Sequence, residues 1–477
     1  MKGMTAFVCI SDIDLDIIEE SMSLFSRAKG TFVRRQRTES PLARFFGSGW
    51  GVAIICAVVS LSVLSAIVWA GWRDPVVPPL DTVGSEGLTE SEEDQETGDE
   101  TETDTEMETE TETQPTPTVD VWKGEVATNF GGGRGTKSDP YLIQTCAQLA
   151  YLAQKVNGGS KYTGKYFRLE ADLNLNQRAW TPIGTYGKCF SGYFDGNGHS
   201  ISGLVVSKPL RNQDYACAGL FGYVENGSLR GVWLNSPKVE IDLENKTTYA
   251  YIGALCGAYR CDGGSVDVSM EGCRVTDAVV TVRRGERVFA GGVIGYVVAY
   301  DGDDVTLRRV EGRVSSMKIS DCWGVWTGGL AGYLDCRGSG RIEIEDFCGY
   351  ATISPIKSGN QYMGTIGAVA APEGRITLRR GYGSVKVNGE LVTSNSYMNS
   401  GYAMIGVVYN GATSKRYYFY DLFGELVAQN MTTTGLYYCD AAVESGIDHS
   451  SAYPKKGVLD EDIWDLSNSR KPAIKFP

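Results

Sequence analysis

Along the second half of this chain the apolar positions fall into one short phrase, a small residue, two largely apolar residues and a glycine, repeated every 35 to 39 residues. The copies are Gly219-Leu220-Phe221-Gly222, Ala254-Leu255-Cys256-Gly257, Gly292-Val293-Ile294-Gly295, Gly329-Leu330-Ala331-Gly332, Gly364-Thr365-Ile366-Gly367 and Ala403-Met404-Ile405-Gly406. With the second glycine as position zero, position −2 reads Leu220, Leu255, Val293, Leu330, Thr365, Met404, and position +2 reads Val224, Tyr259, Val297, Leu334, Val369, Val408. Side chains alternate along a strand, so these two columns and the glycine are expected on one core-facing side, the glycine allowing close approach of backbone.

Turn signals come after each phrase, as at Asn226-Gly227, Asp262-Gly263-Gly264 and Asp301-Gly302-Asp303. Second alternating runs come next, such as Val305-Thr306-Leu307 and Ile342-Glu343-Ile344, whose outward positions carry Asp267, Arg308, Arg309, Glu343, Glu345, Arg379 and Arg380. A unit of this length buries its apolar face only by stacking on a copy of itself. The pattern therefore predicts a mainly β chain, a right-handed parallel β-helix with repeat coils over 211–440. Upstream, Leu149, Leu152, Ala153 and Val156 fall at helical spacing before Asn157-Gly158-Gly159, which predicts a short helix covering the first coil within a cap-and-first-coil region at 122–210. Trp464-Asp465-Leu466-Ser467 and Ala473-Ile474-Lys475-Phe476 are expected to close the other end as a cap over 441–477.

The first 121 residues read differently. No charge occurs from Phe45 to Trp72, and the run Gly51–Ala70 is as long as the roughly 20 apolar residues that cross a bilayer. Trp50, Trp69 and Trp72 stand at its ends, and Arg27, Lys29, Arg34, Arg35, Arg37 and Arg44 precede it. The positive-inside rule then places a basic tail (1–48) in the cytoplasm and one signal-anchor helix (49–72) in the plasma membrane, with the C-terminal domain outside. A cleaved leader is the alternative, for which Val68-Trp69-Ala70 is a poor cleavage site. Residues Asp81 to Asp120 carry 16 acidic side chains and no Lys or Arg. They cannot offset chain entropy by burial and are expected to form a disordered acidic stalk over 73–121. Because the whole chain is formally −13, the region from Val121 onward is near +2, so the acidity belongs to the stalk and nucleic acid is excluded as a partner. Ile10, Ile13, Ile17, Ile18, Met22 and Phe25 mark a short amphipathic helix in the tail, read as a membrane-proximal anchor or as a docking site for a cytoplasmic partner.

More specific residues lie between 134 and 235. Gly135-Thr-Lys-Ser-Asp-Pro-Tyr-Leu-Ile143, Trp180-Thr-Pro-Ile-Gly184 and Phe190-Ser-Gly-Tyr-Phe-Asp-Gly-Asn-Gly-His-Ser-Ile-Ser-Gly-Leu204, with Gly219-Leu-Phe-Gly222 after them, resemble the bacterial GLUG-motif repeat proteins. That resemblance implies a surface or secreted parallel β-helix, found alone in adhesins and beside catalytic domains in some secreted peptidases. It implies a fold and an address rather than a chemistry.

Candidate chemistry is sparse. His199 sits in Asp195-Gly-Asn-Gly-His, read as a tight turn in which Asp195 and Asn197 bond their own backbone. No zinc-helix, nucleophile-elbow, Walker or Cys-x-x-Cys motif occurs, and neither a metal nor a cofactor is expected. A polysaccharide lyase or glycosidase needs two acids facing one bond, for which Asp301, Asp303, Asp304 and Glu343, Glu345, Asp346 are the clusters to test. Ten cysteines lie beyond the membrane run; Cys261 and Cys336 each lie four residues after a zero glycine, and Cys273 and Cys348 sixteen after it. Equal phase points either to bridges Cys261–Cys273 and Cys336–Cys348 or to four small buried hydrophobes. The expectation is a membrane-anchored extracellular binding module, an adhesin or cell-envelope interaction protein, that meets an unidentified glycan or protein through Tyr417, Tyr418 and Tyr420 or through Arg308, Arg309, Arg379 and Arg380. The alternatives are a carbohydrate-active enzyme and a transmembrane sensor or assembly factor working through its tail.

Overall fold

The computed structural model describes residues 119–476, apart from 213, 245–246, 264–267, 357–358, 372, 390–398, 410–416, 428–436, 440–443, 447–458 and 468–471. The chain divides into two units, Met1–Glu108 and Thr109–Pro477, and every described residue lies in the second. The expectations for the basic tail, the signal anchor and the stalk as far as residue 118 fall outside the described residues. Among those that are described, no helix is long and apolar enough to cross a membrane. The folded region begins slightly inside the expected stalk: Asp120–Val121 is a strand paired in parallel with Leu173–Asn174.

From there the chain is a parallel β-solenoid. One coil runs through Tyr249–Gly253 and Cys256–Cys261, then Val268–Glu271 and Arg274–Arg283; the next runs through Arg287–Gly291, Ile294–Ala299 and Asp304–Ser320. Corresponding strands pair in parallel from coil to coil, giving two sheets of 17 and 12 strands among the described residues. We call them the long and the short sheet. Register keeps to the repeated phrase, with Phe221, Cys256, Ile294, Ala331, Ile366 and Ile405 in line. Leu220, Leu255, Val293 and Leu330 are all fully buried in one core cluster that extends from Trp122 to Leu426. Burying each such side chain contributes about 1.5–3 kcal/mol, which only the stack makes available.

The zero glycines form a ladder along that stack. A Cβ on Gly257 would lie 2.6 Å from the Gly222 carbonyl oxygen, and the same contact is 2.6 Å from Gly295 to Gly257, 2.5 Å from Gly332 to Gly295, and 2.5 Å from Gly367 to Gly332. Close approach of backbone, rather than room for flanking side chains, is what demands glycine here. In one respect the local geometry departs from a straight strand. Ala254, Leu255 and Cys256 all face the core, as do Leu220 and Phe221, so the phrase is a corner where the alternation of faces breaks. Gly253 and Gly291 make the corner tight: a Cβ on either would meet the carbonyl oxygen three residues on, at 2.1 and 1.9 Å.

The N-terminal end is closed as its sequence dictates. Helix α1, Cys146–Asn157, starts at Thr145 in a capping box with Gln148 and stops at Gly158, burying Leu149, Leu152, Ala153 and Val156 in the common core. The Asp120 carboxylate accepts the Cys146 N–H at 2.7 Å and ties the first strand to this helix. Residues 122–210 hold several short coils rather than one: Tyr141–Ile143, Tyr166–Leu169 and Tyr193–Asp195 stack in sequence before Ser228–Arg230. These coils are short because the short sheet begins only at Leu210, and single bridges such as Ile183 to Phe221 stand in for its strands.

The expected C-terminal cap lies elsewhere. The hairpin of Trp464–Asp465 and Ala473–Ile474 covers the outer flank of the long sheet. There Trp233, Arg274, Glu311, Cys348, Tyr382 and Phe423 stand in one register column across successive coils. Cys348, Tyr382 and Phe423 would otherwise present an apolar strip to water, and Leu459, Trp464 and Ile474 bury it.

Candidate functional site

The corner that breaks the alternation also shapes the outer face of the short sheet. Because three consecutive side chains turn inward there, outer side chains on either side of the corner lean together and fill a crease. Tyr251 before the corner stacks on Tyr296 after it, ring centroids 4.8 Å apart at 21°, and Phe289 meets Tyr333 edge-on at 5.3 Å. Along the stacking direction the rings continue, Tyr186 on Tyr215 at 4.5 Å, Tyr215 on Tyr249 at 5.5 Å, Phe289 on Trp326 at 4.7 Å and Trp326 on Tyr362 at 6.1 Å. With Cys189, Cys217, Tyr223, Ala258 and Val298, the rings from Tyr186 to Tyr333 make a second apolar cluster on the outside of the wall. The internal rings have their faces occupied by neighbours and are largely buried.

Polar groups form the two lips. On one side the Arg287 guanidinium lies 5.1 Å over the Tyr249 ring and donates to its hydroxyl at 2.5 Å. Across the crease Tyr300 is flanked by Arg260 at 4.6 Å and Arg337 at 5.6 Å. The Asp335 carboxylate accepts from the Tyr296 hydroxyl at 2.6 Å and from Arg337 at 2.7 Å, while Arg260 pairs with Asp262. Burial, reinforced by the charge of Asp335, pushes the Tyr296 phenol well above its ordinary range, so this hydroxyl stays a donor. Beside the first lip stands Trp323, 64% exposed, the most exposed large apolar side chain among the described residues.

The residues singled out from sequence divide in two. Tyr417 points into the core, where its hydroxyl accepts the Ala371 N–H at 2.9 Å; it is no part of a surface. The run Tyr417–Val427 is a strand, so Tyr418 and Tyr420 do face out, under Arg375 at 4.9 Å and Arg379 at 5.2 Å. Arg308 and Arg380 share Glu345 at 3.4 Å each, Arg379 pairs with Glu343 at 3.7 Å, and Arg380 grips Asp346 through two bonds of 2.7 and 3.0 Å. Arg309, Asp346, Arg380 and Asp421 share one register position with φ near +52°, where Gly231 and Gly272 stand in earlier coils. Arg308, Arg379 and Arg380 thus serve coil-to-coil pairing on the long sheet, on the other sheet from the crease.

Both acid clusters are likewise engaged. Asp301 accepts the Ser339 N–H at 2.9 Å, Asp303 accepts the Gly263 N–H at 2.6 Å, and Asp304 pairs with Arg341 at 3.8 Å. His199 belongs to the expected turn: Asn197 has φ +52°, the Asp195 side chain accepts its N–H at 2.9 Å, and His199 N–H donates to Gly196 at 2.8 Å. No group of metal ligands occurs among the described residues.

Cys261, Cys273, Cys336 and Cys348 are all free and buried, which corrects the bridge expectation. Their equal phase is an accident of turn length. Val268 and Ile342 occupy the same register position, yet eleven residues separate Gly257 from Val268 and ten separate Gly332 from Ile342. One extra residue sends a side chain to the opposite face. Cys273 therefore lies in the interior, whereas Cys348 lies on the outer flank with its Sγ 3.5 Å from the Pro472 carbonyl. Burial pushes the Cys273 and Cys336 thiols up to about 12.

The crease residues also carry a signal in the sequence. Aligned on the zero glycine, position +1 gives Tyr223, Tyr296 and Tyr333, and position −6 gives Tyr251, Phe289 and Trp326.

No family model matches the chain. A protein of Evansella cellulosilytica, provisionally described as a Gly-rich membrane protein, is 33% identical over 135 residues, which is 27% of this chain and 14% of that protein. Halomucin of Haloquadratum walsbyi is 28% identical over 221 residues, 44% of this chain and 2% of its own length. The chain thus spans only a small part of either relative. Among solved structures, a chain from Bacteroides ovatus, provisionally described as an immunoglobulin A1 protease, superposes with a TM-score of 0.47 at 18% identity, over 73% of this chain and 96% of that one. A second, described as IgA1 protease, gives 0.37 at 13% identity over 64% of this chain and 22% of that one.

Proposed function

We propose that this is a membrane-associated surface protein, an adhesin or cell-envelope interaction protein of the GLUG type, whose solenoid binds an extended glycan or polypeptide laid along the aromatic crease. The observation that carries the reading is the crease: a row of Tyr, Phe and Trp side chains on the outside of a rigid wall, rimmed by Arg260, Arg287, Arg337 and the exposed Trp323. Trp, Tyr and Arg supply most of the energy at binding surfaces, and a solenoid presents them at a regular interval along an extended face. Membrane attachment rests on the uncharged run from Phe45 to Trp72, with the likeness to a Gly-rich membrane protein in its support. The reading is of a binder and not an enzyme, because the two acid clusters are spent on coil-to-coil bonds.

A glycan and host-protein array probed with the region from residue 119 onward tests this. The expected result is a ligand whose binding Trp323→Ala weakens and Tyr420→Ala leaves intact. Release of reducing ends or unsaturated products from a polysaccharide panel would replace the reading with a catalytic one. Deleting residues 1–44 while preserving export should leave adhesion unchanged; its loss would favour a sensor.

A further inference from the structure

We infer that the C-terminal hairpin is a clamp that makes the coils unfold as one unit. In a solenoid each coil touches only its neighbours, so stability is a sum of local terms and the ends fray first. Here one segment, described at 459–467 and 472–476, reaches every coil of the column that runs from Trp233 to Phe423. Phe476 meets Trp233 edge-on at 6.1 Å and lies under the Arg274 guanidinium at 5.5 Å. The Ile474 N–H donates to Glu311 at 3.1 Å, and the Pro472 carbonyl accepts from the Tyr350 hydroxyl at 2.6 Å. Trp464 directs its indole N–H to Asp346 at 3.4 Å and packs with Tyr382 and Phe423.

The covered side chains make the clamp obligatory in the folded state. Glu311 is 0% exposed, held by Arg313, by Arg274 at 3.7 Å and by the hairpin backbone. Lifting the hairpin removes the Ile474 N–H from that carboxylate and exposes an apolar strip in the same event. Separating any coil of the column from the next requires the hairpin to let go of one of them. A contact that is long-range in sequence, spanning 118 to 163 residues, thereby couples coils that otherwise communicate only stepwise.

Hydrogen exchange of the full chain, read by mass spectrometry, tests this. In the native chain, amides of Trp233–Asn235 and of Tyr417–Val427 should exchange with the same opening constant. In Tyr350→Phe, which removes the hydroxyl that bonds Pro472, and in Trp464→Ala, the Tyr417–Val427 amides should open about fivefold or more ahead of Trp233–Asn235. Graded, coil-by-coil exchange already present in the native chain would overturn the proposal, as would equal acceleration of both segments in both variants.

Discussion

Gly222 and Gly257 sit one coil apart with no space between them for a side chain, since a Cβ on Gly257 would fall 2.6 Å from the Gly222 carbonyl oxygen and 2.7 Å from that of Tyr251. The same contact recurs up the stack, so the spacing of the coils is set by these backbones. Gly295→Ala would place its methyl 2.4 Å from the Ile252 nitrogen and 2.6 Å from the Gly257 oxygen. It should cost about 1–3 kcal/mol or more through overpacking. Gly302→Ala, at φ +75° in a turn with nothing near it, should cost only about 1 kcal/mol from backbone strain. Urea midpoints of the two variants check the order.

Tyr417 and Tyr420 lie three residues apart on one strand and face opposite ways. Tyr417→Ala empties a buried site and should cost about 3–5 kcal/mol. Tyr420→Ala removes an outward ring beneath Arg379 and should stay within about 1 kcal/mol. Thermal unfolding of both would expose a slip of one residue in register, which would reverse the two values.

The nine cysteines from Cys146 to Cys348 are all free and buried. In the native chain none of these nine should react with iodoacetamide at pH 8, and all should react once unfolded; mass mapping of the alkylated sites checks this. A native-state adduct at Cys273 or Cys336 would contradict the buried placement.

Those thiols also fix an alkaline limit. Burial raises Cys217, Cys273 and Cys336 from 9.0 to about 12. The folded state thus favours the neutral form, and its advantage is complete below pH 9, the unfolded value. As pH rises from 9 toward 12 the unfolded chain releases protons that the folded chain keeps, so stability should fall by about 1.4 kcal/mol per unit for each thiol. Stability measured between pH 7 and 11 should be flat and then descend; a rise above pH 9 would contradict it.

The stacked architecture was legible in the sequence because Leu220, Leu255, Val293 and Leu330 repeat at the interval of one coil, and helix α1 because Thr145, Gln148 and Gly158 carry its caps. The corner was harder to see. Three apolar residues in a row, as at Ala254, Leu255 and Cys256, break the period of two, and a rule of strict alternation assigns Cys256 to the wrong face. Arg308 and Arg380 read as outward charges in the sequence, yet their partners Glu345 and Asp346 are one coil away, a relation that register alone reveals. The equal cysteine phases do not mean equal facing, since one residue more between Gly257 and Val268 shifts Cys273 by one register position relative to Cys348. The flank position of Trp464 and Ile474 depends on contacts across more than a hundred residues, which no local pattern encodes.

Tyrosine-directed footprinting of the chain, with and without a ligand found on the array, bears most directly on the crease as the binding face. Protection is predicted at Tyr186, Tyr215, Tyr249, Tyr333 and Tyr362, with Tyr418 and Tyr420 labelled equally in both states. Protection of Tyr418 and Tyr420 with the crease tyrosines unchanged would contradict the account and move the binding face to the long sheet.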